Sequence, residues 1–277
     1  MMRTVLIFSL SVLLLASCAA PDASRRVQTI RVMTYNIHHG EDLEGELSLD
    51  RIADLMARHD VDVVALQEVD SHWAERSAFA DQPRELAERS GMEVFFAPIY
   101  NRDPEPPREE RRRYGLAVLS RLPILSKSNL ELARETSEGE VTRLPGFPAV
   151  TLEAGAGTLH VFNTHLDYRA DPAMRRTQIA ETLEVLEDVN GPIILLGDLN
   201  APPDAAELEP LLTRLHDAWE MAGDGDGFTF PADAPDRRID YILVSSDIRV
   251  DSIAVLHSTA SDHQPVVAVL SIGGTAE

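Results

Sequence analysis

The sequence has 277 residues and a formal net charge of −21 at pH 7, because 46 Asp and Glu residues outnumber 25 Lys and Arg residues. A protein that binds a polyanion by neutralising phosphates needs a positive surface, so this charge disfavours nucleic acid as the main partner. Local basic patches and divalent ions can offset the global charge, and nucleic-acid binding therefore stays an alternative. The length suits one large layered α/β domain.

The first eighteen residues have the pattern of a bacterial export signal. A positive start at 1–3 precedes an apolar run over 4–15, which is short for a membrane-spanning helix. The ending Leu15-Ala16-Ser17-Cys18 resembles a lipobox, which implies cleavage before Cys18 and a lipid on its sulfur. Cys18 is the sole cysteine, so no internal disulfide can form. An ordinary signal peptide that is cleaved nearby is the alternative.

We predict a signal peptide over 1–17, a lipidated tether over 18–28, one globular domain over 29–272 and a tail over 273–277. The tether follows from missing periodicity and from Pro21, Asp22 and Ser24. A lipid on Cys18 would attach the domain to a membrane of the bacterial cell envelope, facing the periplasm or the outside of the cell.

A βαβ unit is predicted at the start of the domain. Its elements are a strand over 30–36, a loop at 38–40, a helix over 49–56 and a strand over 62–66. The two strands end at Asn36 and Glu68, and the carboxyl ends of parallel strands are where α/β sheets usually keep polar sites. Alternatively, Asn36 is a turn residue and Glu68 a surface charge.

The middle of the chain is more polar. A helix is predicted over 82–90 and strands over 93–98 and 114–120, with a long irregular loop over 102–113 between the strands. The arginines of this loop could attract an anionic substrate, but its glutamates favour a solvated loop. Arg76 is either a substrate contact or part of an ordered loop.

A hairpin over 149–164 is predicted to deliver His165 and Asp167 at the end of its second strand. His165 differs from most of the other histidines because it follows a strand, and an isolated histidine is usually structural. The next element is a predicted helix over 173–189, whose apolar residues share one face while Arg175 and other charged residues lie mostly elsewhere.

The apolar stretch 193–196 reads as a strand buried on both faces, and Gly197 leads from it to Asp198 and Asn200. These two side chains face the same way in extended chain. A carboxylate can bind a metal or take a proton from water, and an amide can donate to a phosphate oxygen. The structural alternative is that Asp198 caps a helix over 202–213.

A further predicted strand carries Asp240, and Asp262 and His263 precede the last strand, over 266–271. The polar residues at strand ends are thus Asn36, Glu68, His165, Asp198, Asn200, Asp240, Asp262 and His263. Most are oxygen donors and none is a thiolate, which suits Mg²⁺ or Mn²⁺ better than Zn²⁺. This set fits phosphoester hydrolysis, which needs a cation, a carboxylate that handles water, and donors that stabilise the transition state.

Seven short segments occur in the order found in one known superfamily. They are Met33–Asn36, Leu66–Val69, Tyr114–Ile124, Asn163–Asp167, Gly197–Asn200, Arg238–Ile242 and Ser261–Pro265. Together they resemble the endonuclease/exonuclease/phosphatase superfamily, also called deoxyribonuclease-I-like. The resemblance implies an α/β fold, a four-layer α/β sandwich with two central mixed β-sheets flanked by helices. It also implies that residues 29–272 form a catalytic domain with its site at one edge of the sheets.

The resemblance implies a divalent metal ion, with Mg²⁺ expected and Mn²⁺ or Ca²⁺ as alternatives. Glu68 would be its principal ligand, and Asn36 and Asp262 would lie close to it.

The resemblance also implies the catalytic roles. Asp198 would align or deprotonate the attacking water, and Asn200 and His165 would contact the scissile phosphate. Asp240 would hydrogen-bond His263 and set its tautomer, so that the other ring nitrogen faces the phosphate.

The substrate is predicted from what the family pattern lacks here. There is no confident equivalent of the glutamate that supports the histidine in deoxyribonucleases, and no long basic DNA-binding insertion. We therefore expect a small-molecule or lipid-headgroup phosphoester, a diester before a monoester, with Arg76, Tyr114 and Asp167 in substrate binding. The alternatives are an exported Mg²⁺-dependent nuclease and a non-catalytic binding lipoprotein. A monomer is expected.

Overall fold

Two six-stranded mixed β-sheets pack face to face at the centre of the protein. The computed structural model describes residues 27–136, 139–155 and 157–273. The first sheet has the order β11-β12-β1-β2-β4-β3 and consists of β1 (Gln28–Asn36), β2 (Val63–Ser71), β3 (Glu93–Arg102), β4 (Arg112–Ser120), β11 (Ile248–Val255) and β12 (Val266–Ile272). The second has the order β5-β6-β7-β8-β10-β9 and consists of β5 (Ile124–Glu135), β6 (Val141–Ala154), β7 (Gly157–His165), β8 (Ile193–Asp198), β9 (His216–Asp217) and β10 (Asp240–Val244). The helices are α1 (Leu49–Arg58), α2 (Gln82–Ser90), α3 (Ala173–Glu187), α4 (Glu209–Arg214) and α5 (Ala218–Ala222).

Three hydrophobic clusters divide the protein into four layers. The cluster between the sheets combines side chains of both, including Val32 of β1 and Ile194 of β8. Successive side chains of a strand point to opposite faces, so the next residues pack outward. Met33 packs under α1 and α2, and Leu195 packs under α3 and α4. This arrangement confirms the predicted four-layer α/β sandwich.

Several edge elements differ from the prediction. β5, β9, β11 and α5 are not predicted, and β6 begins at Val141 rather than Ala149. The first half of β6 contains Pro145 and Pro148, which lack the N–H group that a central strand needs. There β6 pairs with β5 alone among the described strands, because β7 pairs with 149–154. The prolines therefore lie where the strand has a single neighbour.

The ends of the chain and of one loop also need correction. β1 begins at Gln28, inside the predicted tether, and pairs there with β12. The loop predicted over 102–113 loses its end residues to β3 and β4. The predicted signal peptide over 1–17, lipidation at Cys18 and the last residues, 274–277, lie outside the described residues. No helix within the described ranges is long and apolar enough to cross a membrane.

The helix predicted over 202–213 is shorter in the structure. A 3-10 turn covers Ala206–Leu208, and α4 begins at Glu209. The carboxylate of Asp198 therefore caps no helix. Its Oδ1 accepts a hydrogen bond from the backbone N–H of Asn200 at 2.9 Å.

The expectation that Arg175 lies away from the buried face of α3 is wrong. Arg175 is buried, and its Nε and Nη2 donate to Glu207 Oε1 at 3.0 and 2.6 Å. Its Nη1 donates to the backbone oxygens of Asp167 and Arg169. A paired and fully hydrogen-bonded arginine can be buried in this way, and here it holds the segment that follows His165.

Strand register brings polar side chains together at one edge of each sheet. His165 at the end of β7 pairs with Asp198 of the parallel strand β8, and Asp198 pairs with Asp240 of the antiparallel strand β10. In the first sheet, the parallel strands β1 and β2 bring Asn36 and Glu68 to the corresponding edge. The two edges face each other and form the candidate site.

Gly197 allows β7 and β8 to approach each other next to Asp198. Its φ is 150°, and a Cβ atom there would lie 2.0 Å from the backbone oxygen of Thr164. No side chain fits in that space, so only glycine permits this backbone.

A buried amide pair joins the two sheets beneath the site. Gln67 Nε2 donates to Asn163 Oδ1 at 2.6 Å and to Thr34 Oγ1 at 3.2 Å. Asn163 Nδ2 donates across the interface to the backbone oxygens of Leu66 and Ala117 at 2.9 and 3.0 Å. These bonds cross an otherwise apolar interface, so they fix the position of one sheet relative to the other.

We expect Asn163→Leu to lower the free energy of unfolding by about 2–3 kcal/mol, because it leaves the buried partners of Asn163 without hydrogen bonds. Chemical denaturation monitored by circular dichroism measures this loss. The exposed Asn190→Leu is the control and should change stability by no more than about 0.5 kcal/mol. Equal stability of the two variants would contradict a structural role for the amide pair.

Candidate active site

Asp198 lies at the centre of the polar cluster. Its Oδ2 is 3.5 Å from His165 Nε2, 3.7 Å from His263 Nε2 and 3.2 Å from Asn36 Nδ2. Three sequence elements that are far apart in the chain thus converge on one buried carboxylate oxygen.

The electrostatic surroundings raise the pKa of Asp198. Burial is the main cause, and the negative charge of Asp240 acts in the same direction. His263, His165 and the backbone N–H of Asn200 oppose this rise in the pKa of Asp198. A carboxylate with a raised pKa is a better acceptor for the proton of a water molecule.

Glu68 lies on a β-bulge in β2. The register of β2 and β4 shifts between Leu66 and Val69, and Glu68 has the left-handed φ of 59°. Bulges of this kind redirect a side chain, and strained backbone is concentrated at functional sites. Here the bulge turns the carboxylate toward Asn36, whose Nδ2 donates to Glu68 Oε1 at 3.2 Å.

Glu68 stays ionised in this position. Burial raises its pKa, but the neighbouring His39, His165 and the amide of Asn36 lower the pKa to about 2. A carboxylate with so low a pKa is a permanent negative charge at the edge of the first sheet.

Asp240 and His263 form a buried pair. His263 Nδ1 and Asp240 Oδ2 are 2.9 Å apart, and the ring of Phe230 lies 4.7 Å from the imidazole. Burial alone would lower the pKa of His263, but Asp240, Asp198 and Asp262 raise it to about 10. His263 is therefore positively charged at neutral pH and directs Nε2 toward Asp198.

The remaining predicted residues border this centre. Asn200 has the left-handed φ of 51° and donates one amide N–H to the backbone oxygen of Leu166 at 3.0 Å, which leaves the other free for a ligand. Asp262 accepts from Ser261 Oγ at 3.3 Å and is half-buried. Asn36 directs its nitrogen at Glu68, while its oxygen accepts the backbone N–H of His38, so its role as a metal ligand stays a prediction.

The donor set of this site fits a divalent cation. Ligand-type atoms of Asp198, Asp240 and His263 lie within 4.8 Å of one another, but a protonated His263 has no lone pair for a metal, so the carboxylate oxygens are the available donors. Asp240 Oδ1 is buried and has no hydrogen-bond partner in the described part of the chain, although a buried carboxylate oxygen normally has one. With the ionised Glu68 close by, the site has the oxygen-rich, negatively charged character that hard cations require.

Two of the predicted substrate-binding residues, Arg76 and Asp167, form ion pairs within the protein. Arg76 binds Asp70 with two hydrogen bonds of 3.0 Å, and its guanidinium lies 5.5 Å from the centre of the Tyr114 ring. Asp167 accepts from Arg169 Nη1 at 2.6 Å. Arg76 and Tyr114 thus lie together beside Glu68, whereas Asp167 mainly holds its own loop.

Sequence reasoning missed Arg134, which extends from β5 toward the site. Its Nη1 lies 3.4 Å from the backbone oxygen of His165, and its Nε is buried without a hydrogen-bond partner within the described ranges. No carboxylate of the described chain lies within ion-pair distance of it. Burial lowers its pKa, and Tyr100, Tyr114 and Asp167 act in the opposite direction. The sequence analysis did not identify Arg134 because it did not predict β5, the strand that carries this residue.

Three half-buried aromatic rings lie next to these arginines. Trp73, Tyr100 and Tyr114 have ring centroids 5.8–6.2 Å apart, and Arg102 lies 5.0 Å from the Trp73 ring. We call these three rings the aromatic platform. The site is thus bordered by positive and aromatic groups, although the protein as a whole is strongly acidic.

Comparison with known proteins gives a consistent result. The model of the endonuclease/exonuclease/phosphatase family matches residues 33–263. An endonuclease/exonuclease/phosphatase from Beutenbergia cavernae is 25% identical, with a TM-score of 0.73 over 89% of this chain and 72% of that one. Two further structures share the fold. A mannosyl-6-phosphatase from Bacteroides thetaiotaomicron is 21% identical, with a TM-score of 0.65 over 87% of this chain and 99% of that one. The human Nocturnin catalytic domain with bound sulfate is 22% identical, with a TM-score of 0.65 over 91% of this chain and 98% of that one. No curated protein matches the chain.

We expect Asp240→Asn to lower the pKa of His263 by roughly 1 to 3 pH units, because the variant removes the adjacent negative charge. Titration of the imidazole by NMR measures this change. The control is Asp188→Asn, an exposed change remote from the site. A pKa that stays near 10 in Asp240→Asn would show that Asp240 does not set the charge of His263.

Proposed function

Because the chain belongs to the endonuclease/exonuclease/phosphatase family, we propose that it is a divalent-metal-dependent phosphoesterase. It hydrolyses a small-molecule or lipid-headgroup phosphoester by in-line attack of water. The observation that carries this proposal is the convergence of a buried, raised-pKa carboxylate at Asp198 with two histidines and an ionised Glu68.

Asp198 handles the attacking water. Its raised pKa makes it a better base than an exposed aspartate, and its neighbours fix the direction of its oxygen. The N–H of Asn200 holds Oδ1, so Oδ2 remains the atom that faces His165, His263 and the reacting group.

Two histidines and an amide stabilise the charge of the transition state. His263, kept protonated by Asp240, and His165 both present Nε2 to the same region. The free N–H of Asn200 adds a third donor. Preorganised donors of this kind stabilise the transition state without having to reorient during the reaction.

Glu68 and Asp262 hold the divalent cation, with Asn36 beside them. When bound, this ion neutralises phosphate charge and acts as a Lewis acid. Glu68 suits the role because its low pKa keeps it free to bind a cation over the whole physiological range. Mg²⁺ is the proposed ion, and Mn²⁺ or Ca²⁺ are the alternatives.

The surroundings favour a small anionic substrate with a ring or a short apolar group. Arg134 contacts the phosphate, since it lies beside His165 and has no carboxylate partner in the described chain. The aromatic platform and Arg76 take the leaving group. A net charge of −21 opposes long-range attraction of DNA. Lipidation of Cys18 would hold the enzyme, as a monomer, at the cell envelope.

We expect Asp198→Asn to reduce kcat by roughly 10²–10⁴-fold and His263→Ala by about 10²–10³-fold, because they remove the base and a transition-state donor. The assay is a panel of phosphodiesters, sugar phosphates and lipid headgroups with Mg²⁺, Mn²⁺, Ca²⁺ or chelator. Diesters should react faster than monoesters, and chelator should abolish the reaction.

The control is His216→Ala, an exposed change in β9, where His216 pairs with Val244 at the end of β10 away from Asp240. Rates within twofold of wild type for Asp198→Asn and His263→Ala would contradict the proposed active site. DNA is included at low salt, because cleavage that falls steeply as salt rises would support the nuclease instead.

Arg134→Gln should lower kcat/KM by roughly 10–100-fold, because a charge-assisted hydrogen bond to the phosphate is lost. Steady-state kinetics on the best substrate separates KM from kcat. Arg143→Gln is the matched control, because Arg143 is exposed and paired with Glu181. Equal kinetics for the two variants would remove Arg134 from the substrate site.

A further inference from the structure

A strained turn directly after β1 has no part in the proposed mechanism. His38 and His39 both adopt left-handed backbone, with φ of 43° and 47°, and Gly40 follows with φ of 78°. Consecutive non-glycine residues in this region are rare, and such strain persists where the surrounding structure imposes it. We call residues 38–41 the histidine turn.

The surrounding structure holds the histidine turn in place. The backbone N–H of His38 donates to Asn36 Oδ1 at 3.1 Å, and Glu41 N donates to the oxygen of His38 at 2.9 Å. Gln82 Nε2 donates to the oxygen of His39 at 2.5 Å. These hydrogen bonds therefore stabilise the strained backbone, which positions the two imidazoles side by side.

The side chains of the histidine turn form a cluster of ligand atoms. One ring nitrogen each of His38 and His39 and a carboxylate oxygen of Glu41 lie within 4.8 Å of one another. His39 Nε2 is 3.5 Å from Glu41 Oε2. The His39 side chain is only 9% exposed, so the two histidines and the glutamate converge at a half-buried position.

The Nδ1 atoms of the two histidines lie near carboxylates. The Nδ1 atoms of His38 and His39 are buried and have no hydrogen-bond partner among the residues that the structure describes. His39 Nδ1 lies 3.9 Å from Glu68 Oε2, and His38 Nδ1 lies 4.0 Å from Asp262 Oδ1. A histidine that binds a metal through one nitrogen usually directs the other at a carboxylate.

We propose that His38, His39 and Glu41 form a second cation site, which binds a transition-metal ion such as Zn²⁺ in preference to Mg²⁺. Two imidazoles and one carboxylate are typical ligands for Zn²⁺ and leave a position open for water. The oxygen-rich set around Glu68 favours a hard cation instead. The second site is independent of the proposed hydrolytic function, since its donors are different side chains.

Zinc binding to chelator-treated full-length protein tests this site. Equilibrium dialysis in excess Mg²⁺ measures bound Zn²⁺, and Co²⁺ absorption reports imidazole coordination. Wild type should retain one Zn²⁺ in excess Mg²⁺. His39→Asn and Glu41→Gln should each weaken binding by at least about tenfold. Asparagine is chosen because it tolerates left-handed backbone, and Glu41→Gln is a nearly isosteric second variant.

Three controls locate the ion. His72→Asn replaces a histidine that also has a left-handed φ, 52°, but lies outside the cluster, so it should bind Zn²⁺ as wild type does. His263→Ala should keep the bound Zn²⁺, because it changes only the catalytic cluster, and Glu68→Gln should weaken binding less than His39→Asn does, because Glu68 only faces the Nδ1 atom of His39. Zinc should also raise the unfolding temperature of wild type but not of His39→Asn.

Four results would overturn the proposal. They are no Zn²⁺ retained by wild type in excess Mg²⁺, unchanged binding in both His39→Asn and Glu41→Gln, a greater loss of Zn²⁺ in Glu68→Gln or His263→Ala than in His39→Asn, and equal loss in His72→Asn. The third would mean that the histidine turn only positions Glu68 and Asp262. Activity is not needed for any of these measurements, so a failure here is distinct from failure of the phosphoesterase proposal.

Discussion

The burial of one charged group, the carboxylate of Asp198, is the constraint on which the candidate site depends. A buried carboxylate is costly unless nearby groups compensate for its lost hydration. Here Asn36, His165 and His263 surround one oxygen, and the N–H of Asn200 holds the other. The same groups that make the burial tolerable are those that a phosphate would meet, so stability and chemistry share one set of contacts.

The sheets are built to deliver these groups together. Parallel pairing of β7 with β8 and antiparallel pairing of β8 with β10 put His165, Asp198 and Asp240 in one row. The other half of the site comes from the first sheet, so it depends on how the sheets are docked. The amides of Gln67 and Asn163 fix the relative position of the two sheets, because hydrogen bonds are directional and apolar contacts are not.

Much of the fold could be predicted, and the failures have physical causes. Buried strands such as 193–196 are continuous apolar runs with no competing interpretation. In contrast, β5 is largely polar because it is an edge strand, and the first half of β6 contains prolines that only a strand with one neighbour tolerates. Arg134 was missed with β5, and Arg175 was misplaced because its partner Glu207 is distant in sequence.

The sequence by itself determined the identity of the polar residues at the strand ends, because periodicity is a local property of the chain. Its short motifs indicated the family, and the resemblance to that family implied the four-layer fold. Only the tertiary structure decided which charges meet. The bulge at Glu68, the orientation of Asn36, the pairing of Asp240 with His263 and the position of Arg134 beside His165 all depend on groups far apart in sequence. Electrostatic energies depend on distance and burial, and neither quantity exists until the sheets have packed.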